Sequence, residues 1–236
     1  AAGTESCVID IDGLSVGLTI CEDIWHPEPA AKAKAAGAEI LININASPFH
    51  RGKSSERLEL VKSCAAAHQL PIIYVNQVGG QDELVFDGGS FAIDAQGELN
   101  TSAQTFIEAF PVVTVDRSSD ARLAPGDTVA EREDLEAVWQ ALVLGMRDYV
   151  DKNGFPGVVL GLSGGIDSAV TLAVAVDALS HERVEAVMMP FRYTASMSVE
   201  DAEAEAQALG VRFSNLSIEP LLSLIHISEP TRLRSI

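Results

Sequence analysis

Over the first half of the chain, short apolar runs are separated by polar and turn-forming stretches. Cys7–Ile11, Val16–Ile20, Ile40–Asn45, Ile72–Asn76, Ser90–Ile93 and Val112–Asp116 are each predicted to be strands. Pro29–Gly37 and Ser54–His68 read as helices. In the second of these, Leu58, Val61 and Ala65 fall on one face, as a helix laid on a sheet requires. This mixture predicts a layered α/β domain over residues 1–116. From Arg117 through Ala124-Pro125-Gly126-Asp127 the apolar pattern lapses into polar and turn-forming residues, so 117–132 is expected to be a linker.

A more regular alternation follows. A helix near Asp134–Asp151 precedes a strand at Val158–Leu162, a helix at Ser168–Leu179, a strand at Val184–Met189, a helix at Ser198–Leu209 and a strand at Arg212–Leu216. The order β-α-β-α-β predicts a doubly wound parallel sheet over residues 133–220, and such sheets hold ligands at the carboxyl ends of their strands.

Composition narrows what these domains can do. With 236 residues, 47% of them apolar, the chain can bury at least one full core. The formal net charge of -18 argues against broad binding to nucleic acid or to an anionic membrane, so any phosphate site must be local. Cys7, Cys21 and Cys64 are odd in number and include no C-x-x-C pair, which fits neither a disulfide framework nor a zinc site. No apolar run approaches the roughly 20 residues of a membrane span and the start has no signal-type segment, so a reducing cytoplasm is expected. The chain begins at Ala1 and runs almost at once into a strand, as if cut from something longer. Residues 221–236 change character, with Arg232 and Arg234 close together after an acidic domain. They resemble translated adapter read-through and are expected to be a non-native tail.

The densest chemical signal lies between Val158-Val159-Leu160 and the helical pattern that follows: Gly161, Leu162, Ser163, Gly164, Gly165, Ile166, Asp167 and Ser168. Glycines let the backbone turn tightly and bring N–H groups near an anion, serines add hydroxyl donors, and the following helix presents its positive end. A nucleoside triphosphate is the expected guest. A Walker-type loop would carry a Lys after its second glycine, and here that neighbourhood reads Gly165-Ile166-Asp167. Asp at a first helical turn also stabilises the helix by itself, so a capping role for Asp167 stands beside a ligand role. In the first half, Cys21 follows the run Val16–Ile20 and precedes Glu22-Asp23-Ile24-Trp25-His26-Pro27, at the point where a strand meets a sharp turn. A thiol there needs a base and an oxyanion donor to act on a carbonyl. Cys7 and Cys64 read as core.

The loop resembles the signature of the N-type ATP pyrophosphatases. The segments Gly17–Pro27, Asn45-Ala46-Ser47-Pro48-Phe49 and Tyr74-Val75-Asn76-Gln77-Val78-Gly79-Gly80 resemble the nitrilase-like carbon-nitrogen hydrolase glutaminases. Together, in this order, they are similar to the glutamine-dependent NAD(+) synthetases. The resemblance implies the C-terminal part of an αββα sandwich followed by the start of an adenine nucleotide alpha hydrolase-like domain. It implies amidation of nicotinic acid adenine dinucleotide with ATP and Mg²⁺, using ammonia from glutamine, in a homo-oligomer. Carried across by position, it implies Cys21 as the nucleophile, Ser47 and Lys53 as glutamine contacts, residues 161–168 as the ATP loop, Asp167 near the metal and Arg192 near phosphate. The family's Glu and Lys partners of the cysteine lie well upstream of it. Only 20 residues precede Cys21 and none is Lys, so the chain is expected to be an internal fragment, inactive by itself. A non-catalytic nucleotide-binding remnant, or another glutamine-dependent amidotransferase, are the alternatives.

Overall fold

The computed structural model describes residues 3, 5–116 and 122–220. The expected tail and the first five residues of the expected linker lie outside these residues. The chain divides into two compact units, Ala1–Gly145 and Met146–Ile236.

The first unit opens on a hairpin, β1 (Cys7–Ile11) against β2 (Leu14–Ile20). Its two turn residues, Asp12 and Gly13, have φ of 51° and 83°, the pair of positive values that matches the twist of hairpin strands. β2 then pairs in parallel with β3 (Ile40–Asn45), and β3 with β4 (Ile72–Asn76). The crossovers are α1 (Pro27–Ala35) and α2 (Lys53–His68). A separate hairpin, β5 (Val78–Gln81) and β6 (Leu84–Asp87), follows. β7 (Phe91–Ile93) then returns antiparallel beside β4, and β8 (Leu99–Ser102) closes a six-stranded sheet of order β1-β2-β3-β4-β7-β8.

Strand register decides which side chains meet the helices. Gly17, Leu41, Ile72 and Ile93 form one cross-strand row, and Thr19, Asn43, Tyr74 and Phe91 the next. Leu41, Ile72 and Ile93 are fully buried together with Val61 and Ala65 of α2 and Ala33 of α1. Burying each large aliphatic side chain contributes about 1.5–3 kcal/mol, so this layer carries much of the unit's stability. Gly17 is required by that packing, because a Cβ there would stand 3.0–3.2 Å from Leu41, Ala38 and Ala33. On the opposite face Ile20, Ile44 and Val75 are 68%, 51% and 40% exposed. One α layer on one β layer is half of an αββα arrangement.

Beyond β8, the two-residue strands β9 (Val115–Asp116) and β10 (Arg122–Leu123) pair with each other. A 19-residue helix, α3 (Asp134–Lys152), follows and spans the division between the units. The second unit is a parallel sheet of β11 (Val158–Gly161), β12 (Val184–Met188) and β13 (Arg212–Asn215), in that order, with α4 (Ile166–Leu179) and α5 (Ser196–Leu209) as crossovers. Both crossovers step the same way across the sheet, so right-handedness places α4 and α5 on one face, where they touch. α4 buries Leu172, Ala175 and Leu179 along one stripe, and α5 buries Ala202 and Ala206. This is one half of a doubly wound sheet.

Several expectations shift. β5, β6 and β8 carried no prediction: Val78-Gly79-Gly80-Gln81 and Leu99-Asn100-Thr101-Ser102 lack the apolar runs that mark strands, and in β6 the run is only Leu84-Val85-Phe86. The strand expected at Val112–Asp116 shrinks to its last two residues, and Val112 is 83% exposed. Part of the expected linker is anchored: Ser102 N donates to Asp127 O and Val129 N to Ser102 Oγ. Cys7 is exposed on an edge strand and so is not a core residue. The strand expected at Val184–Met189 ends at the buried Met188, and Met189 is 51% exposed.

Candidate functional site

β2 ends at Ile20 and a 3-10 turn, Cys21–Trp25, starts at once. Cys21 sits at its head with φ of 48°, a left-handed value that costs a non-glycine residue about 1–3 kcal/mol. The turn is pinned from in front, where Ile20 N donates to Asp23 Oδ2 at 2.9 Å. The sharp corner read from the sequence therefore holds a half-buried thiol on strained backbone at a strand end. Glu22, its neighbour, is exposed.

The carboxyl ends of β3 and β4 lie beside that strand end and carry a buried polar cluster. Asn76 Oδ1 accepts from Ser47 N at 3.0 Å. Arg57 is 3% exposed and Asp87 1%, and the two pair through Nη1 at 2.8 and 2.9 Å. The remaining guanidinium donors all go to one segment: Nε to Ser47 Oγ at 3.1 Å, Nη2 to Ser47 O at 2.9 Å and to Pro48 O at 3.0 Å. Ser54 and Asn76 also donate to Asp87. A pair so deeply desolvated is tolerated only when its hydrogen-bonding groups are satisfied, as they are here. Tyr74, 1% exposed and stacked on Phe91 at 4.9 Å between ring centroids, directs its hydroxyl into the same region. Burial pushes its phenol pKa up. Arg57 and the Ser47 hydroxyl pull it down, and Cys21 and Asp87 push it up again. Its oxygen nonetheless has no partner in hydrogen-bonding geometry, nor has Asn45 Oδ1.

Lys53 is the first residue of α2, where a cation opposes the helix dipole. Two contacts offset this: Glu56 at 2.9 Å and the Trp25 ring, whose centroid lies 4.0 Å from Nζ. Lys53 is thereby tied to the turn that begins at Cys21. A cleft of about 1110 Å³ reaches this cluster from another side, lined by Ser54 and Arg57 and also by Phe49, Arg51, Phe106 and Glu136. Cys21, Ser47 and Lys53 do not line it.

Arg57, Asp87 and Tyr74 carried no functional expectation. One signal was present. The buried stripe of α2 runs Arg57, Val61, Ala65, with Leu58 only half-buried, so a charged residue stands on the apolar face.

In the second unit, β11 ends at Gly161 and the buried Leu162 donates to Val187 O at 2.9 Å. The loop then turns at Gly164, with φ of 76°, and α4 starts at Ile166. A Cβ at Gly164 would lie 2.1 Å from the Ser198 carbonyl oxygen, so the loop needs glycine to approach α5. The Ser163 and Ser168 hydroxyls are 3.0 Å apart, Ser163 N donates to Ser168 Oγ at 3.2 Å, and Ser168 Oγ donates to Gly165 O at 2.9 Å. Asp167 is exposed and sits inside the first turn. Gly165 and not Asp167 is the N-cap, and a carboxylate in the first turn stabilises the helix. Among the described residues no group of three or more His, Cys, Asp or Glu gathers, and a lone carboxylate suits an ion carried mostly by phosphate oxygens and water. Arg192 pairs with Glu219 at 3.0 Å and lies over the Phe191 ring.

A helix-backed sheet with a strained thiol at a strand end is the layout of a nitrilase-like unit, and a parallel sheet with a glycine-serine loop is that of a nucleotide-binding one. Residues 2–124 match the carbon-nitrogen hydrolase family model, and the chain belongs to that family. Residues 138–230 match the NAD synthase model. Glutamine-dependent NAD(+) synthetases of Xylella fastidiosa and Xanthomonas campestris are 46% and 44% identical to the chain over 91% and 92% of its length. The chain spans about two fifths of those relatives, 40% and 39%. A solved glutamine-dependent NAD+ synthetase from Acinetobacter baumannii, in complex with adenosine diphosphate, superposes with a TM-score of 0.92 at 40% identity, over 97% of this chain and 43% of that one. No helix among the described residues is long and apolar enough to cross a membrane.

Proposed function

We propose that the chain carries the glutamine-binding thiol and the ATP loop of a glutamine-dependent NAD(+) synthetase. Residues 1–116 belong to the glutaminase domain, 117–132 connect, and 133–220 belong to the synthetase domain. In the whole enzyme, though not in this fragment by itself, the Cys21 sulfur attacks the side-chain amide carbon of glutamine, ammonia leaves with the thiol proton, and water hydrolyses the resulting thioester to glutamate. Ser47 and Lys53 hold the glutamine. In the second domain, the backbone N–H groups and hydroxyls from Gly161 to Ser168 hold the phosphates of ATP at the head of α4. Asp167, with phosphate oxygens, would hold Mg²⁺, which would neutralise phosphate charge. The carboxylate of nicotinic acid adenine dinucleotide attacks the α-phosphorus of ATP and pyrophosphate leaves; ammonia then attacks the adenylated carboxyl carbon, AMP leaves, and the amide of NAD(+) forms. The whole enzyme works as a cytoplasmic homo-oligomer.

The observation that carries this reading is the succession, in one chain, of a strained thiol beside a buried serine anchor and a glycine-serine loop at a helix head. The names of the relatives and the adenosine diphosphate bound by the Acinetobacter protein support it. The test is covalent labelling with the chloromethyl ketone analogue of L-glutamine, located by mass spectrometry. Cys21 is expected to take the label, with L-glutamine slowing the reaction and adenosine diphosphate binding in parallel. Labelling of the exposed Cys7 with no protection by L-glutamine would sink the glutaminase half; nucleotide binding alone would favour a nucleotide-binding remnant.

A further inference from the structure

Arg57 spends all five of its N–H donors inside the first unit: two on Asp87, two on the carbonyls of Ser47 and Pro48, and one on the Ser47 hydroxyl. The first four fix the path of the chain after β3. The fifth fills a lone pair of Ser47 Oγ, which orients the hydroxyl. Its hydrogen must then point away from Arg57, toward the side where the buried Tyr74 hydroxyl lies and where β2 delivers Cys21. Fixing the backbone alone would not require the Nε contact. We propose that Arg57 is the positioning residue of the amide site, holding Ser47 as a hydrogen-bond donor toward the ligand, with Asp87 as the anchor that keeps the guanidinium in plane. This rests on the glutamine reading of that site.

The role predicts thermodynamic coupling between Arg57 and Ser47 in ligand binding, which a purely structural salt bridge would not produce. The experiment is titration calorimetry of L-glutamine into the full chain and into Ser47→Ala, Arg57→Lys and the double variant, with thermal melting to establish that each is folded. Lysine keeps a positive charge beside Asp87 but cannot reproduce the forked geometry. Each single variant is expected to weaken binding about tenfold, and the double variant also about tenfold, because both remove the same oriented hydroxyl. Unchanged affinity in folded Arg57→Lys, or effects that multiply to a hundredfold, would overturn the role of Arg57 while leaving the glutamine reading standing. Absence of saturable binding to the unmodified chain would overturn that reading and this role with it. Should Arg57→Lys fail to fold, the buried Nε–H resonance of Arg57 gives the answer without altering it. It should shift on addition of L-glutamine and stay fixed in Ser47→Ala, and a resonance indifferent to L-glutamine in the unmodified chain refutes the proposal.

Discussion

The two candidate sites are built on opposite plans. Around Ser47 and Cys21 the polar contacts join residues far apart in sequence and lie under the surface. Arg57 reaches back to Ser47 and forward to Asp87, 10 and 30 residues away, and both ends of the ion pair are almost fully buried. In the loop of the second unit, Ser163, Gly165 and Ser168 bond one another within five residues, at the surface. A buried long-range network is stable only if the whole unit folds around it, whereas a local loop needs little more than its glycines and the helix behind it. The first site should therefore fail with its fold, and the second mainly with its ligand.

The sharpest way to break this contrast is Arg57→Ala. Removing one partner leaves Asp87 uncompensated among buried groups, and breaking a buried pair in this way costs about 3–5 kcal/mol. Urea unfolding should show a loss of that size; a loss below about 1 kcal/mol would place the pair in the surface class and remove the contrast. The next effect is expected at Gly164→Ala. Positive φ on a non-glycine residue costs about 1–3 kcal/mol, and the new methyl group would press on the Ser198 carbonyl 2.1 Å away. Because the loop is exposed, the chain should relieve the clash by moving the loop. Loss of adenosine diphosphate binding should then exceed loss of stability. Calorimetry with the nucleotide and a melting curve on the same sample separate the two, and a large stability loss with intact binding would reverse the plan inferred for the second unit.

The same contrast explains what could be read in advance. Residues 161–168 are legible because every part of that loop's geometry is local: three glycines, two serines, a strand before and a helix after. β3 and β4 were legible to the residue, since parallel strands covered by helices are continuous apolar runs. The Arg57–Asp87 pair was not. Its two halves stand on different elements, and Asp87-Gly88-Gly89 reads as an ordinary turn until β6 is known to bring it under α2. The hairpin of β5 and β6 was missed for a related reason: Gly79 and Gly80 carry no side chain to pattern, so pairing and not sequence period makes them a strand. The corner at Cys21 lies between these cases. Strand and turn were visible, but the left-handed backbone of a cysteine was not.

The smallest expected effect concerns Cys64, on α2 and half-buried against the helix-covered core. Burial pushes its thiol pKa up from the ordinary thiol range. A thiol is charged only when it loses its proton, so the raised value means that the folded state holds the proton where the unfolded chain has begun to release it. Below about pH 8.5, the ordinary thiol value, both states are protonated and the contribution to stability is fully present. As pH rises from there through the folded value, the unfolded ensemble ionises first and stability falls. Tyr74 is pushed up as well, chiefly by burial, but from a starting point near pH 10, so the interval between about pH 8.5 and 10 isolates the thiol. Partial access to water screens the effect, which should stay below about 1 kcal/mol. Urea midpoints followed across that interval should decline more steeply for the unaltered chain than for Cys64→Ala, with the slope and not the absolute midpoint as the readout, because the substitution also removes packing. Equal slopes would mean that water reaches Cys64 in the folded chain, and that the helix-covered layer is less closed on its outer side than the Arg57 network requires on its inner one.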